Sequence, residues 1–317
     1  MKIIALLPFR NEEWILPTYI SSMKLIADEI IAVYDDCEDK SIEILKANNV
    51  IVMRNKNWEA NATAEDSRKQ LLEIGRKRGG THFICLDADE VFSSSFIPKA
   101  RGIINCLVPG QKLLMPWLYL WNGTESYRKE TIGFTAGLKD FAFCDDQEMD
   151  YDDKIIHGSR TPSNNIICIK DKVIDNINDA SVLHFHFVNY EFAVYKSIYY
   201  MCFELIQTPK RLHYINKGYA CVFNENPQCE RTDPNWFKGL VLPDLFQLNN
   251  KILVYISEIY QLFDQKGIEY FELLQIWSIP ELQKEFIKRT GRHPRTWKEP
   301  IYYRLRTSLK NILKIRR

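Results

Sequence analysis

The sequence has no C-x-x-C pair, no glycine-rich phosphate loop, no uncharged stretch long enough to span a bilayer and almost no net charge. Each absence excludes something. Eight cysteines are scattered at positions 37, 85, 106, 144, 168, 202, 221 and 229, which argues against structural zinc and a disulfide scaffold and for reduced thiols in a cytosol. Neither G-x-G-x-x-G after the first strand nor G-x-x-x-x-G-K-S/T occurs, so a dinucleotide fold and a P-loop are disfavoured, and phosphate binding would need a metal. Lys and Arg number 42 against 41 Asp and Glu, a net charge of +1 that gives no electrostatic case for nucleic-acid binding. The apolar stretch after Met1-Lys2 ends at Arg10, too short for a signal-peptide core, and no later run reaches the roughly 20 residues of a membrane helix. The expectation is a cytoplasmic protein, soluble or peripheral on the inner face of a membrane.

What is present is an ordinary globular composition, 46% hydrophobic over 317 residues, enough for one large domain with an appendage. Ile3 to Leu7, Ile30 to Tyr34, Val50 to Met53 and Phe83 to Leu86 are short apolar runs of the kind found in strands covered on both faces. Trp14, Ile15, Tyr19, Ile20, Met23 and Ile26 fall at helical spacing between the first two, as do Ile42 and Leu45, then Leu71, Leu72 and Ile74. The alternation predicts an α/β, doubly wound sheet flanked by helices, whose ligands bind outside the carboxyl ends of the strands.

Polar residues gather at those ends. The first strand runs into Pro8-Phe9-Arg10-Asn11-Glu12, the second into Asp35-Asp36, the third into Arg54-Asn55 and the fourth into Asp87-Ala88-Asp89. Side chains at i and i+2 of an extended segment point the same way, so Asp87 and Asp89 can both face a cation and the diphosphate it bridges.

These segments, with Arg68 in a helix, resemble the P-x-x-N-E, V-D-D-G-S, Arg and D-x-D signatures of family-2-type glycosyltransferases, in the same order over roughly residues 1 to 100. The resemblance implies the GT-A fold and inverting transfer of a hexose or N-acetylhexosamine from a nucleoside-diphosphate sugar, UDP foremost, to a glycan or lipid-linked, lipopolysaccharide-type acceptor. It implies a Mn²⁺ or Mg²⁺ ion on Asp89. It implies donor contacts from Pro8, Arg10, Asn11 and Glu12, from one of Asp35 and Asp36 to the base, from Arg68 to base or phosphate, and from Asp87 to the ribose or the metal's water shell. There are two departures. Cys37-Glu38 stand where the family has Gly-Ser, and Arg10 stands where an aromatic residue stacks on the base, a task a guanidinium plane can also perform.

The second half is read from residues and family together. Leu113 to Trp121, with Tyr127-Arg128 after a turn, reads as added strands, and Trp117 could stack on a sugar. Val182 to Val188 alternates so that His184 and His186 share one side of a strand, and the family's C-terminal metal histidine favours His184. A general base is expected among Asp140, Asp145, Asp146, Glu148, Asp150, Asp152 and Asp153, with Asp153 first and Asp152 next, most of the others being solvated surface acids. His157 and Arg160 are candidate clamps for acceptor or diphosphate. The domain expectation is a transferase domain over 1–200, with a nucleotide half to 100 and an acceptor-side half beyond, and a helical extension over 201–317. In that extension Leu305, Leu309, Ile312 and Leu313 form a stripe flanked by Arg306, Lys310, Lys314 and Arg317, a pattern suited to an anionic membrane surface. The alternatives are a catalytically silent sugar-nucleotide binder and a nucleotidyltransferase.

Overall fold

The computed structural model describes residues 1–56, 64–129, 137–151, 159–163 and 170–298. The first part of the chain follows the predicted alternation: β1 (Ile3–Phe9), α1 (Leu16–Met23), β2 (Glu29–Tyr34), α2 (Ser41–Ala47), β3 (Ile51–Arg54), α3 (Ala64–Lys77) and β4 (His82–Ile84). Pro17 causes no break, because it falls in the first turn of α1, where a missing N–H has no carbonyl to lose. β5 (Glu90–Phe92), α4 (Ile97–Asn105), β6 (Lys112–Trp121), β7 (Ser126–Arg128), β8 (Leu138–Cys144), β9 (Lys172–Val173) and β10 (Val182–Phe187) follow.

Strand order is β11-β7-β6-β8-β4-β1-β2-β3, with β11 at Cys229–Arg231. β4, β1, β2 and β3 are parallel, and β8 joins antiparallel between β4 and β6, so the sheet is mixed. Ile4, Leu6, Ile31, Val33, Leu71, Leu72, Phe83 and Phe143 pack into one buried cluster from β1, β2, α3, β4 and β8. Two glycines let the end of α3 and the turn after it come close to β4. A Cβ on Gly75 or Gly80 would stand 2.5 or 2.6 Å from the Phe83 ring.

A second, smaller ladder sets up the site. β10 runs antiparallel to β5 and parallel to β6, so His184 stands opposite Glu90 on one side and Tyr119 on the other.

The chain divides into two compact units, 1–193 with 225–250, and 194–224 with 251–317. In the second, α6 (Leu212–Tyr219), α7 (Leu248–Lys266) and α8 (Pro280–Thr290) dominate, together with most of α5 (Tyr190–Gln207). Its core holds the rings of Phe263, Phe271, Trp277 and Phe286. Glu272 accepts from Arg292 and Arg295, and the Arg292 hydrogen bond leads the contacts that hold its carboxyl down at about 2. Among the described residues no helix is long and apolar enough to cross a membrane, and the basic stripe from 305 to 317 lies outside them.

Candidate metal and nucleotide site

Between β4 and β5 the chain makes a tight turn that the sequence of Asp87 to Glu90 holds itself. Cys85 N–H bonds Phe141 O at 2.8 Å and keeps the chain extended beyond β4. Glu90 N–H then closes on Asp87 O at 3.0 Å, and the Glu90 carboxylate takes the Asp87 N–H at 3.0 Å. Phe185 N–H bonds Asp89 O at 2.8 Å, which ties β10 to the turn.

Asp89 and His184 are thereby brought face to face, Oδ1 to Nε2 at 3.3 Å. Asp89, His184 and His186 each offer one donor atom within 4.8 Å of the others. Asp89 is only 5% exposed, and His184 is stacked on Trp117 with ring centroids 4.9 Å apart and planes 14° apart. Tyr119 packs on the His184 ring at 4.6 Å. A carboxylate oxygen and two imidazoles fit a divalent ion, and nitrogen donors favour a transition ion such as Mn²⁺ over Mg²⁺. His184 Nδ1 is buried with no hydrogen-bond partner among the described residues, so nothing there ties the ring to one tautomer.

Asp87 has different surroundings. Arg68 from α3 reaches its Oδ1 at 2.6 Å and Arg160 its Oδ2 at 3.2 Å. Burial acts to raise its pKa, but the guanidinium charges of Arg68 and Arg160 outweigh burial and hold the carboxyl below its usual value. Arg160 also pairs with Glu90 through Nε at 2.9 Å and through Nη2, and its Cζ lies 4.3 Å from the Trp117 ring centroid. Glu90 is fully buried and Tyr119 packs on His184, yet no local sequence pattern marks either as a site residue. Glu90 stands next to the D-x-D in sequence, and what it touches depends on a residue 70 positions away.

At the other strand ends, Asp35 Oδ1 accepts from Asn55 at 2.8 Å and from Ser67 at 3.4 Å. Burial pushes its pKa up against those two hydrogen bonds and the nearby charge of Arg10. Asp36 lies 3.9 Å from Arg54 and is half exposed. Asn11 adopts a left-handed φ of 55°, donates its N–H to Cys37 Sγ at 3.4 Å and accepts the Glu38 N–H on its side chain at 2.8 Å. Cys37 therefore occupies the departure from Gly-Ser as a partner of the first loop, with burial raising its thiol pKa to about 11. The Glu12 carboxylate takes Trp14 Nε1 at 2.8 Å and its N–H bonds Ser41 Oγ at 2.8 Å, a brace for the same loop. Pro8 continues β1 opposite Val33 of β2.

The acidic segment is engaged within the protein. Asp145 is buried, not solvated, and makes two 2.8 Å bonds to Arg76. Asp146 caps the N–H groups of Glu148 and Met149, and Asp140 meets Thr161 and, at 3.5 Å, Lys112. Asp150 accepts the Tyr151 N–H and its backbone bridges to Ser163. Asp152, Asp153 and His157 lie outside the described residues.

No family model matches the chain. No curated protein matches it. Among solved structures it is similar to glucosyl-3-phosphoglycerate synthase from Mycobacterium tuberculosis in complex with Mn²⁺ and UDP-glucose, at 20% identity and a TM-score of 0.29, over 37% of this chain and 43% of that one. Mannosyl-3-phosphoglycerate synthase from Rubrobacter xylanophilus gives 20% identity and a TM-score of 0.29 over 38% and 41%. The chain thus spans under half the length of either protein. A likeness of this extent bears on no residue of the site, whose reading rests on its own geometry.

Proposed function

We propose that this chain is a metal-dependent, inverting glycosyltransferase of family-2 type with the GT-A arrangement. It moves a hexose or N-acetylhexosamine from a nucleoside diphosphate, UDP foremost, to a glycan or lipid-linked acceptor. The observation that supports this best is the cluster of Asp89, His184 and His186 beyond the end of a parallel strand, one residue from an aspartate that two arginines hold ionised. Asp89 and His184 would hold a divalent ion, which would supply neutralising charge for the departing diphosphate.

The chain's own groups do the rest. Asp35, its Oδ1 fixed by Asn55 and Ser67, accepts an N–H of the base, while Arg10 stacks on that base. Asp87, oriented by its two arginines, takes the ribose. Asp153, with Asp152 beside it, accepts the proton of the acceptor hydroxyl as that oxygen bonds the anomeric carbon and the bond to the diphosphate breaks in line. One displacement inverts the centre, and no covalent intermediate forms. Residues 1–193 with 225–250, whose β11 pairs with β7, form the transferase domain and the rest the extension, whose basic stripe brings the enzyme to an anionic membrane surface on the cytoplasmic side.

The test is thermal shift with UDP, with and without Mn²⁺, followed by turnover of a UDP-sugar. UDP should raise the melting temperature only with Mn²⁺. Asp153→Asn should keep that shift and lose roughly 10²- to 10⁴-fold in transfer. Binding without any turnover in the wild type would leave a silent sugar-nucleotide binder, and no binding would sink the reading.

A further inference from the structure

The Trp117 ring carries two cations: Arg160, which also orients Asp87, and Lys139, to which the donor chemistry gives no part. Arg160 Cζ lies 4.3 Å from its centroid and Lys139 Nζ 5.8 Å, both within cation–π range. Lys139 is half-buried and has no carboxylate partner among the described residues. Arg160 donates from Nε and Nη2 to Glu90 and Asp87, while no described residue takes a hydrogen bond from its Nη1. Trp117 Nε1 is likewise buried without a partner among the described residues, on a side chain 8% exposed. Burying an indole N–H without an acceptor is unfavourable, and that group and the Lys139 ammonium stand at one ring that stacks on His184.

The surrounding acids do not supply the missing acceptor. Glu90 and Asp87 are engaged by Arg160, Asp89 faces His184, and Asp140, next to Lys139 on β8, turns to Lys112 and Thr161.

We propose that Lys139, Arg160 and Trp117 frame an oxyanion subsite that takes a phosphate or carboxylate group of the acceptor. The inference rests on the transferase reading for the word acceptor and on geometry for the anion. The groups assigned to the nucleotide come from the ends of β1, β2 and β4 and from α3, whereas Trp117 and Lys139 stand on β6 and β8. The acceptor is therefore an anionic molecule, and its charge meets the ammonium and guanidinium that share the Trp117 ring.

The experiment titrates full-length protein with inorganic phosphate by calorimetry, without nucleotide or metal, and separately with UDP in the presence of Mn²⁺. Lys139→Met keeps the aliphatic stem over Trp117 and removes the charge, and Lys139→Arg restores the charge. Phosphate should bind the wild type saturably, about tenfold or more weakly in Lys139→Met, and near wild-type strength in Lys139→Arg, with UDP affinity alike in all three. Absence of saturable phosphate binding, or equal affinity in the wild type and Lys139→Met, would overturn the subsite. A parallel fall in UDP affinity would overturn the acceptor assignment, because the anion would then be the donor's diphosphate. Failure of wild-type protein to bind UDP would overturn the transferase reading alone, since the phosphate titration contains neither nucleotide nor metal.

Discussion

Asp87 and Asp89 are one residue apart and leave the same turn, yet one enters a cage of guanidinium and the other a wall of imidazole. Asp87 has each oxygen on an arginine, at 2.6 and 3.2 Å, and its charge is matched within the protein. Asp89 faces His184 at 3.3 Å, a partner that carries charge only when protonated. A fixed cation already occupies the first carboxylate, and an exchangeable one can occupy the second. The two positions of a D-x-D are thus not equivalent ligands. Under the proposed function the first is the orienting group and the second the metal ligand.

The widest separation between the two should appear on substitution. Asp89→Asn should abolish Mn²⁺-dependent UDP binding, a loss beyond the 10- to 100-fold of an outer-shell change, with little shift in the melting temperature of unliganded protein. Asp87→Asn should weaken UDP binding through the ribose without abolishing its dependence on Mn²⁺, and should cost stability as well. It leaves Arg68 and Arg160 short of an anion and costs about 1 to 2 kcal/mol of stability in urea, a figure discounted because the Asp87 side chain is 33% exposed. If the two variants lose metal-dependent binding equally, the distinction between the positions falls.

How far the sequence reveals this distinction follows from contact range. The parallel strands and the carboxylate pair are visible because their signals lie within nine residues, an apolar run followed by i and i+2 acids. His184 was found through strand alternation and family likeness. Its ring stack on Trp117 follows from the pairing of β10 with β6, across 67 positions, which no periodicity encodes. The same holds for Arg160 on Asp87 and for Arg76 on Asp145, where an acid that reads as solvated is buried beside a partner 69 residues earlier. Glu90, next to the motif, is hidden for the same reason. A lone acid after a D-x-D has no pattern of its own, and only the fold supplies its arginine.

Glu90 offers the next test, because it belongs to the guanidinium side alone. Its buried carboxylate holds Arg160 and the Asp87 N–H. Glu90→Gln should cost about 2 to 3 kcal/mol by urea unfolding, less than deletion of a fully buried ion-pair partner because the amide oxygen still accepts and Asp87 still pairs with Arg160. Mn²⁺ affinity in the folded variant should stay within a few-fold of wild type. A loss of metal affinity as large as that of Asp89→Asn would join the two sides into one network.

Asp35 sharpens the comparison with a third carboxylate and the smallest effect. Asp87 is held low by arginines, whereas burial raises Asp35 despite Asn55, Ser67 and Arg10. A carboxyl raised in the folded state is stabilising below its unfolded pKa, and that contribution disappears as pH climbs through the folded value, so at pH 7 the ionised group is a burden on the fold. Asp35→Asn keeps the Asn55 and Ser67 contacts through its oxygen and should therefore raise stability at pH 7 by up to about 1 kcal/mol, a gain that fades toward pH 4. UDP affinity should fall about tenfold in the same variant, since a neutral amide replaces the charged acceptor for the base. In the wild type, that affinity should weaken with acid at a pH above the ordinary aspartate range. A melting temperature that drops at pH 7 in Asp35→Asn would mean that its hydrogen bonds outweigh its burial, and Asp35 would then belong with Asp87 among the structurally satisfied carboxylates.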